Sequence, residues 1–159
     1  MTRPLILFLG NSILADDRIG LIIGEMLKER LESEGKDVEV IEKTGYSLLD
    51  YLEGRESVII VDSVITGRHR IGETVTLTPD DLQRFSPSSS HYAGIPELLN
   101  LMKQLELVPP LDIRVIGIEV EDPYAVSTKI SRKLETEVTR IAEAIHKIVS
   151  APNWRCQVR

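Results

Sequence analysis

Two adjacent acids, Asp16 and Asp17, sit inside the stretch GNSILADDRIG; a third, Asp62, follows the apolar run SVIIV; and His91 comes just after a polar stretch that begins at Pro79. Two carboxylates and an imidazole are hard and borderline donors. Gathered at one place, they form a three-ligand site for a divalent metal with room left for a water or a substrate group. A carbonyl polarised there could be attacked by water that the metal or a carboxylate activates. Taken singly, each residue has a plainer use: Asp16 as an N-cap, Asp17 as a first-turn acid favoured by the helix dipole, Asp62 as a turn former, His91 as a loop histidine. His69, in the charged turn Arg68-His69-Arg70, and His146, on the terminal helix, read as surface residues outside this set. No GxSxG elbow and no HExxH appears, and Gly10-Asn11 lacks the GxGxxG spacing of a dinucleotide site.

The elements that would position these groups can be read from the hydrophobic pattern. Residues 4–10 form a buried strand, and Ile19, Ile22, Ile23, Met26, Leu27 and Leu31 recur at helical spacing until Gly35 stops the helix. A short strand over 38–41 leads through Thr44-Gly45 to a brief helical segment with Leu48, Leu49 and Leu52. The β-branched run 57–61, ended by Asp62, reads as a strand buried on both faces, and 73–78 alternates like a strand with one exposed face. A polar loop is expected from Pro79 to His91, then a helix with Pro96 in its first turn, a last strand over 113–118 and one long helix over 130–148. Strands alternating with helices predict a three-layer α/β/α sandwich around a mostly parallel, mixed sheet, in a single domain spanning 1–159 with 153–159 as a short tail. In such a fold the acids after the first strand, Asp62 and His91 fall at the same sheet edge, which is expected to be accessible to solvent.

Composition bounds the remaining possibilities. The 159 residues are 42% hydrophobic and 4% aromatic, so the core is aliphatic. A net charge of -6 argues against nucleic acid as a partner. The apolar run near the N-terminus is too short for a signal peptide or a membrane span, and the single cysteine, Cys156, forms no internal disulfide; together these suit a cytoplasmic protein with no membrane partner.

Taken together, GNSILADDRIG, Thr44-Gly45, IIVDSV around Asp62, SSHYAGIPELL around His91 and IGIEVEDPYAVSTKI near Glu119 resemble the hydrogenase maturation endopeptidases. The likeness runs through nearly the whole chain in the family's order. It implies that Asp17, Asp62 and His91 are the metal-binding and catalytic trio, and the shared motifs give Asn11, Asp16, Thr44 and Gly45 as candidate substrate-binding residues. It further implies that the partner is the precursor of the large subunit of a nickel–iron hydrogenase. The enzyme would recognise nickel already seated in that precursor, with zinc or cadmium as possible surrogates, and remove the extension beyond it. Arg18 stands where the family often has glycine, a departure that bears on which precursor is processed. The loop 79–90 is expected to be mobile and to close over the precursor tail. Two alternatives have the same acids: a non-catalytic nickel-binding scaffold of this fold, and a phosphoacceptor module resembling a receiver domain. Against the receiver stand the five or so residues between Gly10 and the acid pair, and Glu119 where a lysine would be required.

Overall fold

The computed structural model describes residues 2–42, 45–84 and 94–152. Its apolar runs form strands that feed two cores at once. In β1 (Leu5–Leu9), Ile6 and Phe8 enter one core while Leu5, Leu7 and Leu9 enter another. β3 (Ser57–Val64) divides in the same way, with Ile59 and Val61 on one face and Val58, Ile60 and Val64 on the other. Successive side chains of a strand point to opposite faces, so a strand without polar alternation must be covered on both sides.

β2 (Asp37–Ile41), β4 (Thr74–Leu77) and β5 (Asp112–Glu119) complete a five-stranded sheet of order β2-β1-β3-β5-β4. Every pairing is parallel except that of edge strand β4 with β5. α1 (Ile19–Ser33) and α6 (Val138–Ser150) cover one face through Ile19, Ile23, Leu27, Ile141 and Ile145; α2 (Leu49–Leu52) and α4 (Ile95–Gln104) cover the other through Leu52, Ile95, Leu98 and Met102. The result is the expected α/β/α sandwich. None of its described helices is long and apolar enough to cross a membrane.

From β1 the chain passes through α1 to β2 on one side, then returns through α2 to β3 on the other side of β1. The carboxyl ends of β1 and β3 therefore flank a topological switch point, the crevice where open sheets bind ligands. Close packing of α1 on β1 fixes this crevice. A Cβ on Gly20 would lie 1.8 Å from the Leu9 carbonyl oxygen, so a larger residue there would push the helix off the strand.

Three elements differ from the sequence expectation. β3 does not end before Asp62; it runs on to Val64, because β5 continues to pair with Asp62, Ser63 and Val64 after β1 pairing stops at Val61. Asp62 is thus a strand residue and not a turn former. The expected loop begins with a helix, α3 (Pro79–Arg84), nucleated by a capping box: Asp81 N–H donates to Thr78 Oγ1 at 3.2 Å and Thr78 N–H to Asp81 Oδ2 at 2.9 Å. The long terminal helix is two, α5 (Arg132–Glu135) and α6, parted where the Thr136 hydroxyl donates to Lys133 O at 2.9 Å. Leu134, Ile141 and Ile145 still share one core, so the periodic pattern survives the break. His91, the rest of the expected lid, Thr44, Cys156 and the tail 153–159 lie outside the described residues.

Candidate functional site

The segment after β1 is shaped by its own short side chains. Asn11 Oδ1 accepts the Ile13 N–H at 3.0 Å in an Asx turn, and Asn11 N–H donates to Asp17 O at 3.2 Å. This folds the chain back into a 3-10 turn, Ala15–Arg18, placing Asp17 just ahead of α1 beside the end of β3. There the Ser63 hydroxyl donates to Asp17 Oδ1 at 2.6 Å, while Ser63 N–H donates to Asp62 Oδ1 at 2.8 Å. One serine therefore links the two acids that the sequence singles out. Strand alternation gives Asp62 the face of Ile60 and Val64, the layer covered by α4, and gives Ser63 the face of Val61, covered by α1.

Both acids are more enclosed than expected. Asp17 is 3% exposed, its 3-10 turn set against Ser63 at the end of β3, and Asp62, on the other face of the same strand, is 0% exposed. Both acids are thus buried rather than set at a solvent-accessible edge. Among the described residues no three His, Cys, Asp or Glu side chains are grouped to hold a metal. The described part of the expected trio is the carboxylates of Asp17 and Asp62, each bonded to Ser63 and each a hard donor of the kind a divalent cation accepts. His91, the third expected donor, lies outside the described residues.

Asp16 corrects the expectation of substrate contact. It is fully buried; its Oδ2 accepts the N–H groups of Glu121 and Asp122 at 3.1 and 2.9 Å, and its Oδ1 that of Ser131 at 2.6 Å. Nor is it an N-cap of the following turn, which has no side-chain cap. Its carboxylate ties the site loop to residues 121–131. Arg18 joins the same seam by donating to Thr128 O. Ser12 N–H donates to Glu42 Oε1 at 2.6 Å; this bond, aided by the Arg18 charge, holds the Glu42 carboxyl below its usual range.

Two polar residues at this edge are not singled out by residue type alone. Ser63 could have been found from VIIVDSVI, a β-branched run that resumes after two polar residues and so need not end at Asp62. Glu119 is 2% exposed and accepts from Thr66 N–H, Thr66 Oγ1 and Gly67 N–H at 2.9 to 3.0 Å, tying the turn after β3 to the end of β5. Gly45, with φ of 58°, is exposed and lines a cavity of about 250 Å³ with Tyr46, Leu48, Ile95, Glu97 and Leu98. His69 pairs with Glu73 at 3.4 Å as a surface residue would. His146 is less exposed than expected, 14% at its side chain, and lies 2.6 Å from Glu34 Oε1.

Known proteins share this fold. Residues 22–148 match the model of a family described as hydrogenase maturation protease, and the chain belongs to that family. It is a hydrogenase maturation endopeptidase, a hydrolase of peptide bonds. Hydrogenase 2 maturation protease of Escherichia coli is 27% identical over 152 residues, covering 91% of this chain and 92% of its own length. Protein FrxA of Pyrococcus furiosus is 26% identical over 140 residues, covering 86% and 97%. Among solved structures, the nickel–iron hydrogenase maturation protease HybD from Thermococcus kodakarensis superposes with a TM-score of 0.68 at 25% identity, over 92% of this chain and 99% of that one. The hydrogenase maturating endopeptidase HybD from Escherichia coli shares the fold, with a TM-score of 0.71 at 20% identity over 95% and 94%. These likenesses favour neither the receiver-like module nor the scaffold.

Proposed function

We propose that the substrate is the precursor of a nickel–iron hydrogenase large subunit, and that the enzyme removes the C-terminal extension of this precursor after nickel has been inserted. The observation that carries this reading is the Asp17–Ser63–Asp62 linkage buried at the switch point, two carboxylates set by one serine where this fold binds its ligands. In this reading Asp17, Asp62 and His91 complete the coordination of a nickel ion that arrives with the precursor. The ion would polarise a carbonyl beside it; a water giving up a proton to a carboxylate would add to the carbonyl carbon, and the C–N bond would break as that proton passes to the leaving amine. Zinc or cadmium could stand in for nickel at these donors. Asn11 shapes the loop that presents Asp17, and Thr44, Gly45 and the adjoining cavity take up the peptide. The reaction belongs in the cytoplasm, where the precursor would receive its metal.

Two carboxylates and an imidazole lack the soft thiolates of a tight nickel site, so the free enzyme binds nickel weakly in this account. The test offers purified enzyme two precursors, with and without nickel, in a chelator too weak to strip the loaded form. Cleavage confined to the loaded precursor is the expected result. Equal cleavage of both would show that nickel is not the recognition element.

A further inference from the structure

A cavity of about 250 Å³ opens where a second 3-10 turn, Gly45–Leu48, meets the first turn of α4. Both elements stand at the carboxyl edge of the sheet, because the turn follows β2 and α4 leads on to the opposite edge, where β5 begins. Leu48, Ile95 and Leu98 also belong to the core that takes in Leu9, Ile60 and Val64, the layer on which Asp62 lies. The cavity therefore shares the face and the edge of Asp62. Its walls are aliphatic, with Leu101 one helical turn along from Leu98, and Tyr46, which also lines it, is 75% exposed. Among the described lining residues only Glu97 is charged, and it is exposed to water. Two glycines keep the space clear. Gly45, with φ of 58°, suits its backbone; Gly94, with φ of -99°, meets no such demand, and a Cβ on either would touch nothing within 4 Å. The side chain missing at Gly94 serves neither backbone nor packing, and what it leaves is room in the cavity.

We propose that this cavity is a pocket for one bulky apolar side chain of the precursor segment flanking the cut, and that it sets which residue is accepted there; the proposal rests on the function proposed above. Volume and walls argue for this occupant. A benzene-sized group fits a cavity of about 150 Å³, so this one has room for a leucine or phenylalanine side chain. Aliphatic walls favour such a group through the water that both surfaces shed. A cationic side chain would gain little more from Glu97, because water and salt screen an exposed carboxylate.

The experiment measures kcat/KM for nickel-loaded precursors in which each residue flanking the cut, other than those that ligate nickel, is set in turn to leucine, alanine or lysine. At one position the wild type should favour leucine over alanine by roughly tenfold or more, the scale on which an apolar pocket discriminates. Gly94→Leu and Leu101→Phe fill the cavity from two sides, and each should bring that ratio close to one. Gly94→Ala, which replaces the glycine but keeps most of the space, should retain the preference. A ratio between two precursors is unaffected by a general loss of activity, and if one filled variant does not fold, the other decides. A leucine preference that persists in the folded filled variants would overturn the proposal. So would a preference for lysine that Glu97→Gln abolishes, by giving the pocket to a cation. Wild type that cuts every loaded precursor equally would defeat the pocket alone, whereas wild type that leaves all of them uncut would defeat the proposed function and the pocket with it.

Discussion

Glu34, His146 and Ser150, where α1 and α6 end, and Asp17, Ser63 and Asp62, where β1 and β3 end, are two small groups of polar side chains built around a serine. The first has the inventory of a serine hydrolase, with His146 Nε2 2.6 Å from Glu34 Oε1 and 3.2 Å from Ser150 Oγ. Its order is wrong for that chemistry. Carboxylate and serine approach the same ring nitrogen, and the Ser150 hydroxyl donates to Glu34 Oε2 at 2.7 Å, so no imidazole stands between base and nucleophile. With Lys36 Nζ 3.1 Å from Glu34 Oε2, the group clasps two helix ends at the surface. In the second group the serine serves two acids and touches no imidazole among the described residues. It lies at the sheet's switch point and is withdrawn from water. Residue types alone would rank the two groups the other way round. Topology and burial distinguish them, because carboxylates are kept buried only where the fold provides specific partners for them.

The largest expected effects come from the buried group. Asp17→Asn and Asp62→Asn keep the size and one acceptor oxygen for the Ser63 bonds while removing the charge, and each should lower kcat/KM for precursor processing by roughly 10³-fold or more, a larger loss than any accompanying shift in stability explains. Asparagine is the informative replacement here, since alanine at a position with 0–3% exposure would also leave a hole. The adjacent Asp16 should invert the result. Asp16→Ala strands the N–H groups of Glu121, Asp122 and Ser131, which should cost about 2–4 kcal/mol in denaturant unfolding. Processing by the fraction that remains folded should persist at a reduced rate. If Asp16→Ala proved as stable as wild type and inactive, Asp16 would join the site, and the distinction between the two neighbours would fail.

Part of this contrast was legible in the sequence. Continuous apolar runs and helical spacing revealed the layers, since those patterns arise directly from which faces must be covered. Gly10-Asn11, the acid pair and Asp62 were legible as one edge, because the order of strands and helices brings their positions together. The division of labour between Asp16 and Asp17 was not. It depends on main-chain N–H groups more than 100 residues away, at Glu121, Asp122 and Ser131, and a backbone donor leaves no mark on residue type. The extension of β3 past Asp62 leaves only a faint local trace, the apolar Val64-Ile65 that resumes after Asp62-Ser63; the partner that sustains it is β5. The helix over 79–84 was legible in the Thr-Pro-Asp-Asp capping signature, overridden by the polar composition that follows it.

Ser63 provides a finer probe of the buried group. Removing its hydroxyl in Ser63→Ala leaves both acids and the Ser63 N–H bond to Asp62 in place, and deletes the 2.6 Å bond that orients Asp17. Turnover should fall by roughly tenfold, the scale of one buried hydrogen bond to a charged group. Ser63→Thr, which restores a hydroxyl, should recover part of it. Unchanged turnover in Ser63→Ala would mean that the serine only fills space.

The smallest effect is expected at the helix-end clasp, and it should appear in stability alone. Hydrogen bonds from His146 and then Ser150 lower the Glu34 pKa from 4.5 to about 2. A carboxyl whose folded pKa lies below its unfolded value stabilises the fold while ionised. That contribution is fully present above the unfolded pKa near 4.5 and is lost as pH falls toward the folded value near 2. Because Glu34 lies at the surface, where water and salt screen its partners, the contribution should stay within about 1 kcal/mol. Unfolding of the wild type and of Glu34→Gln, followed from pH 7 to pH 2, should show a gap that narrows across this window, with precursor processing at pH 7 equal in the two proteins. A processing defect in Glu34→Gln with an intact fold would mean that the clasp communicates with Asp17 and Asp62 at the other end of α1, and the two serine-centred groups could no longer be treated as independent.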